Sequence, residues 1–224
     1  MFWFKKKPAE PEIKTVQSAV DFTILDPRAT QKDITNAVNI AIKNKYFGVC
    51  VNSGNVKYAK EYALAKAVDN LNIISVVGFP LGAQSLQTKM FEAKQAISDG
   101  ADELDVVINI GKAKEGDYDY VRNELSRIVR SSKGKIIKAI IETCYFDREE
   151  ISQLCKACVK AKVDYIKTST GYGTGGATPE VVDCIANVVM GKCLIKASGG
   201  IRSLHQAEEL IRAGASRIGT STEI

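Results

Sequence analysis

The sequence predicts a protein of the α/β class, folded as a single-domain (β/α)8 barrel (TIM barrel). Eight short apolar runs rich in β-branched residues alternate with longer amphipathic stretches. The runs recur at roughly 22 to 35 residues, which leaves room for one crossover helix between successive strands. Eight such units favour a closed barrel, with an open doubly wound sheet as the alternative. The predicted strands are Val20–Leu25, Gly48–Asn52, Ile73–Phe79, Glu103–Ile108, Lys135–Glu142, Asp164–Thr168, Cys193–Ala197 and Ser216–Gly219.

The stretches between the runs carry helix start signals. Thr30-x-x-Asp33 has the spacing of a capping box, and Thr178-Pro179 places a hydroxyl at the N-cap and proline at the first helical position. After Thr30, apolar residues follow the i, i+3, i+4, i+7, i+8 stripe of a helix that lies on a core. This stripe consists of Ile34, Ala37, Val38, Ala41 and Ile42.

Composition and charge limit the class of protein. Of the 224 residues, 45% are hydrophobic and 25% are charged, which excludes a disordered or collagen-like chain. The net charge of +5 suits a small anionic substrate better than nucleic acid. No apolar stretch reaches the roughly 18 to 20 residues of a membrane span, and no secretory signal is visible, so we expect a cytoplasmic protein. We expect residues 1–15 to be an N-terminal extension and residues 16–224 to form the barrel.

The cysteines and the histidine give little support to metal or redox chemistry. Cys155 and Cys158 form a C-x-x-C pair, but they lie inside a helical pattern without a second cysteine pair. The one histidine, His205, falls in the first turn of a predicted helix, where a solvent-exposed or capping role is favoured over metal ligation. We therefore expect neither a metal nor another cofactor.

Charged residues interrupt or close several of the apolar runs. They are Asp21, Asp105, Lys138, Glu142, Lys167 and Lys196. Internal ion pairs or strand ends turned to solvent would explain any one of them, but chemistry in such barrels lies at the carboxyl ends of strands. Two lysines on successive strands suit a Schiff base, because a nearby cation and desolvation favour the neutral, nucleophilic form of an amine whose ordinary pKa is about 10.4.

Glycine-rich segments follow the last three predicted strands. They are residues 169–176 (STGYGTGG), 198–200 (SGG) and 219–221 (GTS). Backbone N–H groups in such loops can hold a phosphate, and barrels commonly build that site after their last strands. The expected phosphate-binding residues are Thr170, Gly171, Gly199, Gly200, Gly219 and Ser221.

Several of these motifs, in this order, resemble those of the deoxyribose-phosphate aldolases, over roughly residues 20–222. The two lysine motifs carry most of the likeness, and four further segments add to it. The matching segments are 21–23 (DFT), 50–52 (CVN), 78–82 (GFPLG), 100–107 (GADELDVV), 163–171 (VDYIKTSTG) and 196–202 (KASGGIR).

The resemblance implies a class I aldolase that reversibly cleaves 2-deoxy-D-ribose 5-phosphate to acetaldehyde and D-glyceraldehyde 3-phosphate, in deoxyribose phosphate catabolism. Lys167 would form the Schiff base, Lys196 would be the second lysine whose charge favours neutral Lys167, and Asp105 would relay protons. Asp21, Cys50 and Lys138 would support them. No cofactor, nucleic acid or membrane is implied, and the oligomeric state is left open between a homodimer and a homotetramer.

Three positions depart from the family pattern. Phe22 stands where the family often has histidine, and Ser53 stands where it often has proline. The sequence stops at Ile224, where family members usually continue into a final helix, so we expect the eighth helix, after the last strand, to be truncated or absent. Two alternative functions are a lysine aldolase for another phosphorylated aldehyde and a catalytically silent phosphate-binding barrel.

Overall fold

Eight parallel strands close into a barrel, which confirms the predicted fold class over the open sheet. The computed structural model describes residues 13–68 and 70–224. Each strand pairs in parallel with the next along the chain, and β8 pairs with β1. The strands are β1 (Val20–Ile24), β2 (Gly48–Val51), β3 (Asn72–Val77), β4 (Glu103–Val107), β5 (Ile136–Ile140), β6 (Tyr165–Lys167), β7 (Leu194–Ser198) and β8 (Arg217–Thr220).

Helices connect the strands on the outside of the barrel. They are α1 (Gln31–Lys43), α2 (Val56–Ala65), α3 (Leu86–Ser98), α4 (Ile110–Lys114), α5 (Tyr118–Ser131), α6 (Arg148–Ala161), α7 (Pro179–Val189) and α8 (Leu204–Arg212). Two of them, α4 and α5, follow β4, and within the described residues no helix follows β8. The predicted capping box at Thr30 and Asp33 is present, and the Thr178 hydroxyl accepts a hydrogen bond from the Val181 amide.

The apolar core lies mainly between the strands and the helices. In α1, Ile34, Ala37, Val38 and Ala41 of the predicted stripe are buried there. The barrel interior holds a much smaller apolar cluster, formed by Leu25, Cys50, Ile74 and Val76. The interior of such a barrel is usually filled by branched aliphatic side chains. In this protein charged side chains replace many of them, and buried charges need close partners.

Every strand differs from its predicted bounds by one or two residues at one or both ends, and two of these differences affect a candidate residue. β7 extends through Ser198, so Lys196 lies in the middle of this strand and not at its end. β5 ends at Ile140, and Glu142 follows it with a left-handed backbone (φ 50°) that is uncommon for a residue other than glycine. Sequence patterns locate strands well but leave their ends uncertain, because loop residues can continue the ladder.

Four other predictions concern the cysteine pair, the histidine, membrane spans and the N-terminal extension. Cys155 and Cys158 are buried in α6, and His205 lies exposed near the start of α8. In the part of the chain that the structure describes, no helix has the length and apolar character to cross a membrane. Most of the expected N-terminal extension, residues 1–12, falls outside the described residues, so the proposed domain boundary stays a prediction.

Candidate active site

Six charged side chains form a closed ring of ion pairs inside the barrel. Carboxylates and cations alternate around it, so that every member contacts one neighbour of opposite charge on each side. In order, the ring consists of Asp21, Arg217, Glu103, Lys138, Asp105 and Lys196, and then returns to Asp21. We call this set the charge ring.

One half of the charge ring lies toward the carboxyl ends of the strands. Asp105 uses both carboxylate oxygens, with Lys138 Nζ 2.8 Å from its Oδ1 and Lys196 Nζ 2.8 Å from its Oδ2. Lys196 also donates to Asp21 Oδ2 at 2.5 Å. Asp21, Asp105, Lys138 and Lys196 have no solvent-exposed surface.

The other half of the charge ring lies toward the amino-terminal ends of β4 and β8. Arg217 Nη1 donates to Asp21 Oδ1 at 3.0 Å and to Glu103 Oε2 at 3.1 Å. Lys138 Nζ lies 2.5 Å from the same Glu103 oxygen. The Arg217 guanidinium stacks on the ring of Phe47, 3.3 Å from its centroid, so an aromatic side chain covers this end of the network.

Lys167 is a seventh charged residue, attached to the charge ring from outside. Its Nζ lies 2.8 Å from Asp105 Oδ2, the oxygen that also accepts from Lys196. With all groups ionised, the ring holds three carboxylates and three cations. The proton of Lys167 is therefore the one positive charge of this network that no carboxylate balances.

Opposite charges, and not burial, control ionisation in the charge ring. Burial alone would raise the pKa of Asp105, but Lys138, Lys167 and Lys196 hold it well below the ordinary aspartate value. Burial likewise disfavours ionised Asp21, yet Lys196 and Arg217 lower its pKa. Burial would lower the pKa of Lys196, and Asp105 and Asp21 raise it instead. The lysine and both aspartates therefore stay ionised.

A cavity of about 850 Å³ opens at the carboxyl ends of the strands, where (β/α)8 enzymes place their active sites. Lys167 lines this cavity, whereas Asp105 and Lys196 lie beneath it and are fully buried. All six expected phosphate-binding residues also line it. They are Thr170, Gly171, Gly199, Gly200, Gly219 and Ser221.

Three glycines give the cavity wall an exposed backbone. Gly171, Gly199 and Gly200 have φ values of 87°, 87° and 77°, a region that only glycine adopts easily. In the described residues their amides donate no backbone hydrogen bond. Arg202 lines the same end of the cavity. These features suit an anionic group of a ligand.

Glu142 fixes the loop that carries Gly171. Its buried carboxylate accepts from the Thr170 amide at 3.2 Å and from the Thr170 hydroxyl, and the Tyr172 amide donates to that hydroxyl at 3.0 Å. The Tyr172 hydroxyl then donates to the Leu25 carbonyl at 2.9 Å. The loop after β6 is thereby tied to the segments that follow β5 and β1.

Of the supporting residues, Lys138 and Asp21 belong to the charge ring, and Cys50 lies in the apolar part of the interior. Burial, followed by the charge of Asp105, raises the pKa of Cys50 to about 11, so this thiol is uncharged near neutral pH.

Sequence reasoning missed Glu103 and Arg217. Glu103 precedes Asp105 by two residues and so shares its face of β4, which was the signal available. Within residues 13–68 and 70–224, no three His, Cys, Asp or Glu side chains could together hold a metal ion.

Known proteins resemble the chain over nearly its whole length. The family model described as DeoC/LacD family aldolase matches residues 15–222. Deoxyribose-phosphate aldolase from Thermococcus gammatolerans is 49% identical over 207 residues, 92% of each chain. The one from Finegoldia magna is 47% identical over 92% of this chain and 95% of its own.

Solved structures agree with these relatives. The aldolase QR15 superposes with a TM-score of 0.88 at 39% identity, covering 93% of this chain and 92% of that one. A deoxyribose phosphate aldolase from Aeropyrum pernix, described as a tetramer, gives 0.85 at 34% identity, covering 92% and 86%. By the family model and by these relatives, the chain belongs to the DeoC/LacD family and is an aldolase.

Proposed function

We propose that the enzyme reversibly cleaves 2-deoxy-D-ribose 5-phosphate to acetaldehyde and D-glyceraldehyde 3-phosphate through a Schiff base on Lys167. The observation that carries this proposal is the position of Lys167, which contacts both the charge ring and the cavity. The names of the relatives support the substrate. A phosphorylated sugar also suits a cavity with a lysine at its base and exposed glycine amides in its wall.

In the direction of synthesis, the neutral amine of Lys167 attacks the carbonyl carbon of acetaldehyde. The carbinolamine loses water to give an imine, and loss of a methyl proton gives the enamine. The enamine carbon then adds to the aldehyde carbon of D-glyceraldehyde 3-phosphate, and hydrolysis of the new imine releases the sugar phosphate and restores Lys167. Cleavage follows the same steps in reverse.

The other two catalytic candidates have complementary roles. Lys196 keeps its proton, because Asp105 and Asp21 raise its pKa against the effect of burial, so it acts as a fixed cation and not as a nucleophile. Asp105 is a carboxylate 2.8 Å from Lys167 Nζ, close enough to accept a proton from it directly and to pass protons on through a bound water. The low pKa keeps Asp105 ionised, and a proton that it accepts is passed on readily because the carboxylate is a weak base.

The glycine loops would bind the phosphate and so orient the substrate. Amides of Gly171, Gly199 and Gly200, with the Ser221 hydroxyl, would hold the anion and leave the aldehyde carbon over Lys167. We further propose a cytoplasmic enzyme that forms a homodimer or a homotetramer, and a role in deoxyribose phosphate catabolism.

Borohydride reduction in the presence of acetaldehyde tests the proposal. Mass spectrometry should find one ethyl group, on Lys167. Two buried lysines serve as internal controls, Lys196 beside the site and Lys89 outside the barrel, and both should remain unlabelled.

An adduct on Lys196 would contradict the assignment of the nucleophile, and no adduct would favour a silent barrel. An adduct on Lys167 without turnover of 2-deoxy-D-ribose 5-phosphate would favour an aldolase for another phosphorylated aldehyde.

A further inference from the structure

We propose that Arg217 and Glu103, at the far end of the charge ring, are positioning residues that set the charge state of Lys167 without touching it. This inference rests on the proposed function, because the neutral amine of Lys167 is the species that attacks the aldehyde. It extends the active site to the amino-terminal half of the barrel, since neither Arg217 nor Glu103 lines the cavity.

The contacts give a continuous connection between the two ends. Arg217 and Lys196 both donate to Asp21. Lys196 and Lys167 both donate to Asp105 Oδ2. On the other side of the charge ring, Lys138 forms an ion pair with Glu103 and donates to Asp105 Oδ1. Glu103 therefore acts on Asp105 through Lys138, and Arg217 acts on it through Asp21 and then Lys196. The contact between Arg217 and Glu103 closes the ring.

The count of charges gives the direction of the effect. Arg217 is always protonated, and with it the three cations of the charge ring balance three carboxylates. The proton on Lys167 is then the surplus charge, and its loss leaves the buried network neutral. Without Arg217, the proton on Lys167 would balance the third carboxylate and so be favoured. Without the charge of Glu103, the network would hold one carboxylate fewer, and the proton on Lys167 would be less favoured than in the wild type.

Other titratable groups around Lys167 do not alter this count. From β2 comes Cys50, whose thiol is uncharged near neutral pH. Glu142, which follows β5, is engaged by the amide and hydroxyl of Thr170. On β6 itself, Tyr165 shares the face of Lys167 and contacts Arg217 and Lys138. Burial raises the pKa of its phenol, so Tyr165 is uncharged near neutral pH. The charge ring supplies the other groups from the strands: Asp21 on β1, Asp105 on β4, Lys138 on β5 and Lys196 on β7.

The test is the pH dependence of acetaldehyde trapping at Lys167 in variants at the far end of the barrel. In Arg217→Met the midpoint of the pH profile of trapping should move to higher pH by about one pH unit. In Glu103→Gln the same midpoint should move to lower pH by about one pH unit. Arg217→Lys, which keeps the charge, should stay near the wild-type midpoint. The double variant Arg217→Met/Glu103→Gln, which removes one charge of each sign, should also return toward it.

Glu124→Gln is the matched control, because it neutralises an equally buried carboxylate outside the charge ring. Its midpoint should not move. Circular dichroism verifies the fold of each variant, and Arg217→Gln replaces Arg217→Met if the latter does not fold. Shifts of the same sign, or no shift in Glu103→Gln, would overturn the inference. Absence of an adduct in the wild type would instead contradict the proposed function.

Discussion

Two buried lysine sites in this protein differ in how their charges are compensated. Lys89, on α3, is fully buried outside the barrel, where its Nζ donates to Glu124 of α5 at 2.9 Å and to the Val107 carbonyl at 2.8 Å. Burial lowers the pKa of Lys89 and raises that of Glu124, and their mutual attraction only partly opposes this. In the charge ring, Lys196 is equally buried, yet its pKa is raised.

The number of partners explains the difference. Lys89 has one carboxylate in contact, whereas Lys196 contacts two, and Asp105 contacts three lysines. A single pair does not repay the desolvation of two ions, but a closed network can. Isolated buried pairs thus tend toward neutrality, while Asp21, Asp105 and Lys196 of the charge ring stay ionised. Because Lys89 does not line the cavity that Lys167 lines, we expect its pair to serve structure and the charge ring to serve chemistry.

The largest expected effects come from removing the two lysines in turn. Lys167→Met should reduce kcat/KM on the order of 10⁴-fold or more, since it deletes the nucleophile. It should leave the free energy of unfolding unchanged or higher, because the charge ring remains neutral without it. Lys89→Met should do the opposite, with turnover close to wild type and a loss of about 3–5 kcal/mol in stability, because Glu124 is left buried without a cation.

Steady-state kinetics and urea unfolding measure both quantities in the same two variants. The double variant Lys89→Met/Glu124→Leu should recover most of the lost stability, since it replaces the whole pair with apolar side chains. Loss of turnover in Lys89→Met at a temperature where it is folded would contradict the division into structural and chemical lysines.

A smaller effect is expected from the carboxylates. Asp105→Asn should slow turnover by roughly 10²-fold or more, the usual scale for a positioned acid or base. It should also lower stability, because three buried lysines lose their shared carboxylate. Glu124→Gln should lower stability without slowing turnover. Near-normal turnover in Asp105→Asn, measured with the folded variant, would remove this residue from the mechanism.

The sequence was most informative where a charge interrupted an apolar run. Asp105, Lys138, Lys167 and Lys196 all stand out in this way, and the barrel brings all four together. Glu103 and Arg217 begin their strands, where a charged residue reads as the end of a solvated loop. Their place in the charge ring becomes visible only when barrel closure puts β8 beside β1 and lets side chains meet across the interior.

Lys89 and Glu124 could not be predicted, for a different reason. Charged residues are ordinary on the solvent face of an amphipathic helix, and the turn of α3 and α5 that becomes buried depends on how these helices pack together. The position of Lys196 within β7 was also missed, because the glycine pair that follows obscures the end of the strand. The glycine loops that line the cavity were easier to predict, since glycines clustered after the last strands carry their own backbone signal.

The smallest effect concerns the glycine loops that line the cavity, where we propose that the phosphate binds. Gly200 has φ 77° and no heavy atom within 4 Å of the position that a Cβ would take. Gly200→Ala should therefore fit sterically in the free enzyme but place a methyl group where the phosphate approaches. We expect kcat/KM for 2-deoxy-D-ribose 5-phosphate to fall roughly ten-fold, the scale of one hydrogen bond to a charged group, and that for unphosphorylated 2-deoxyribose to change little.

Gly116 provides a closely matched control for backbone strain, because it too has φ 77° and open space at its Cβ, in the turn between α4 and α5. Gly116→Ala should cost similar stability, since both alanines must adopt a left-handed backbone, but it should leave both sugars equally good substrates. The ratio of kcat/KM values for the two sugars isolates the phosphate contact from any general loss of activity. An equal loss for both sugars in Gly200→Ala would mean that this glycine shapes the loop and that the phosphate binds elsewhere in the cavity.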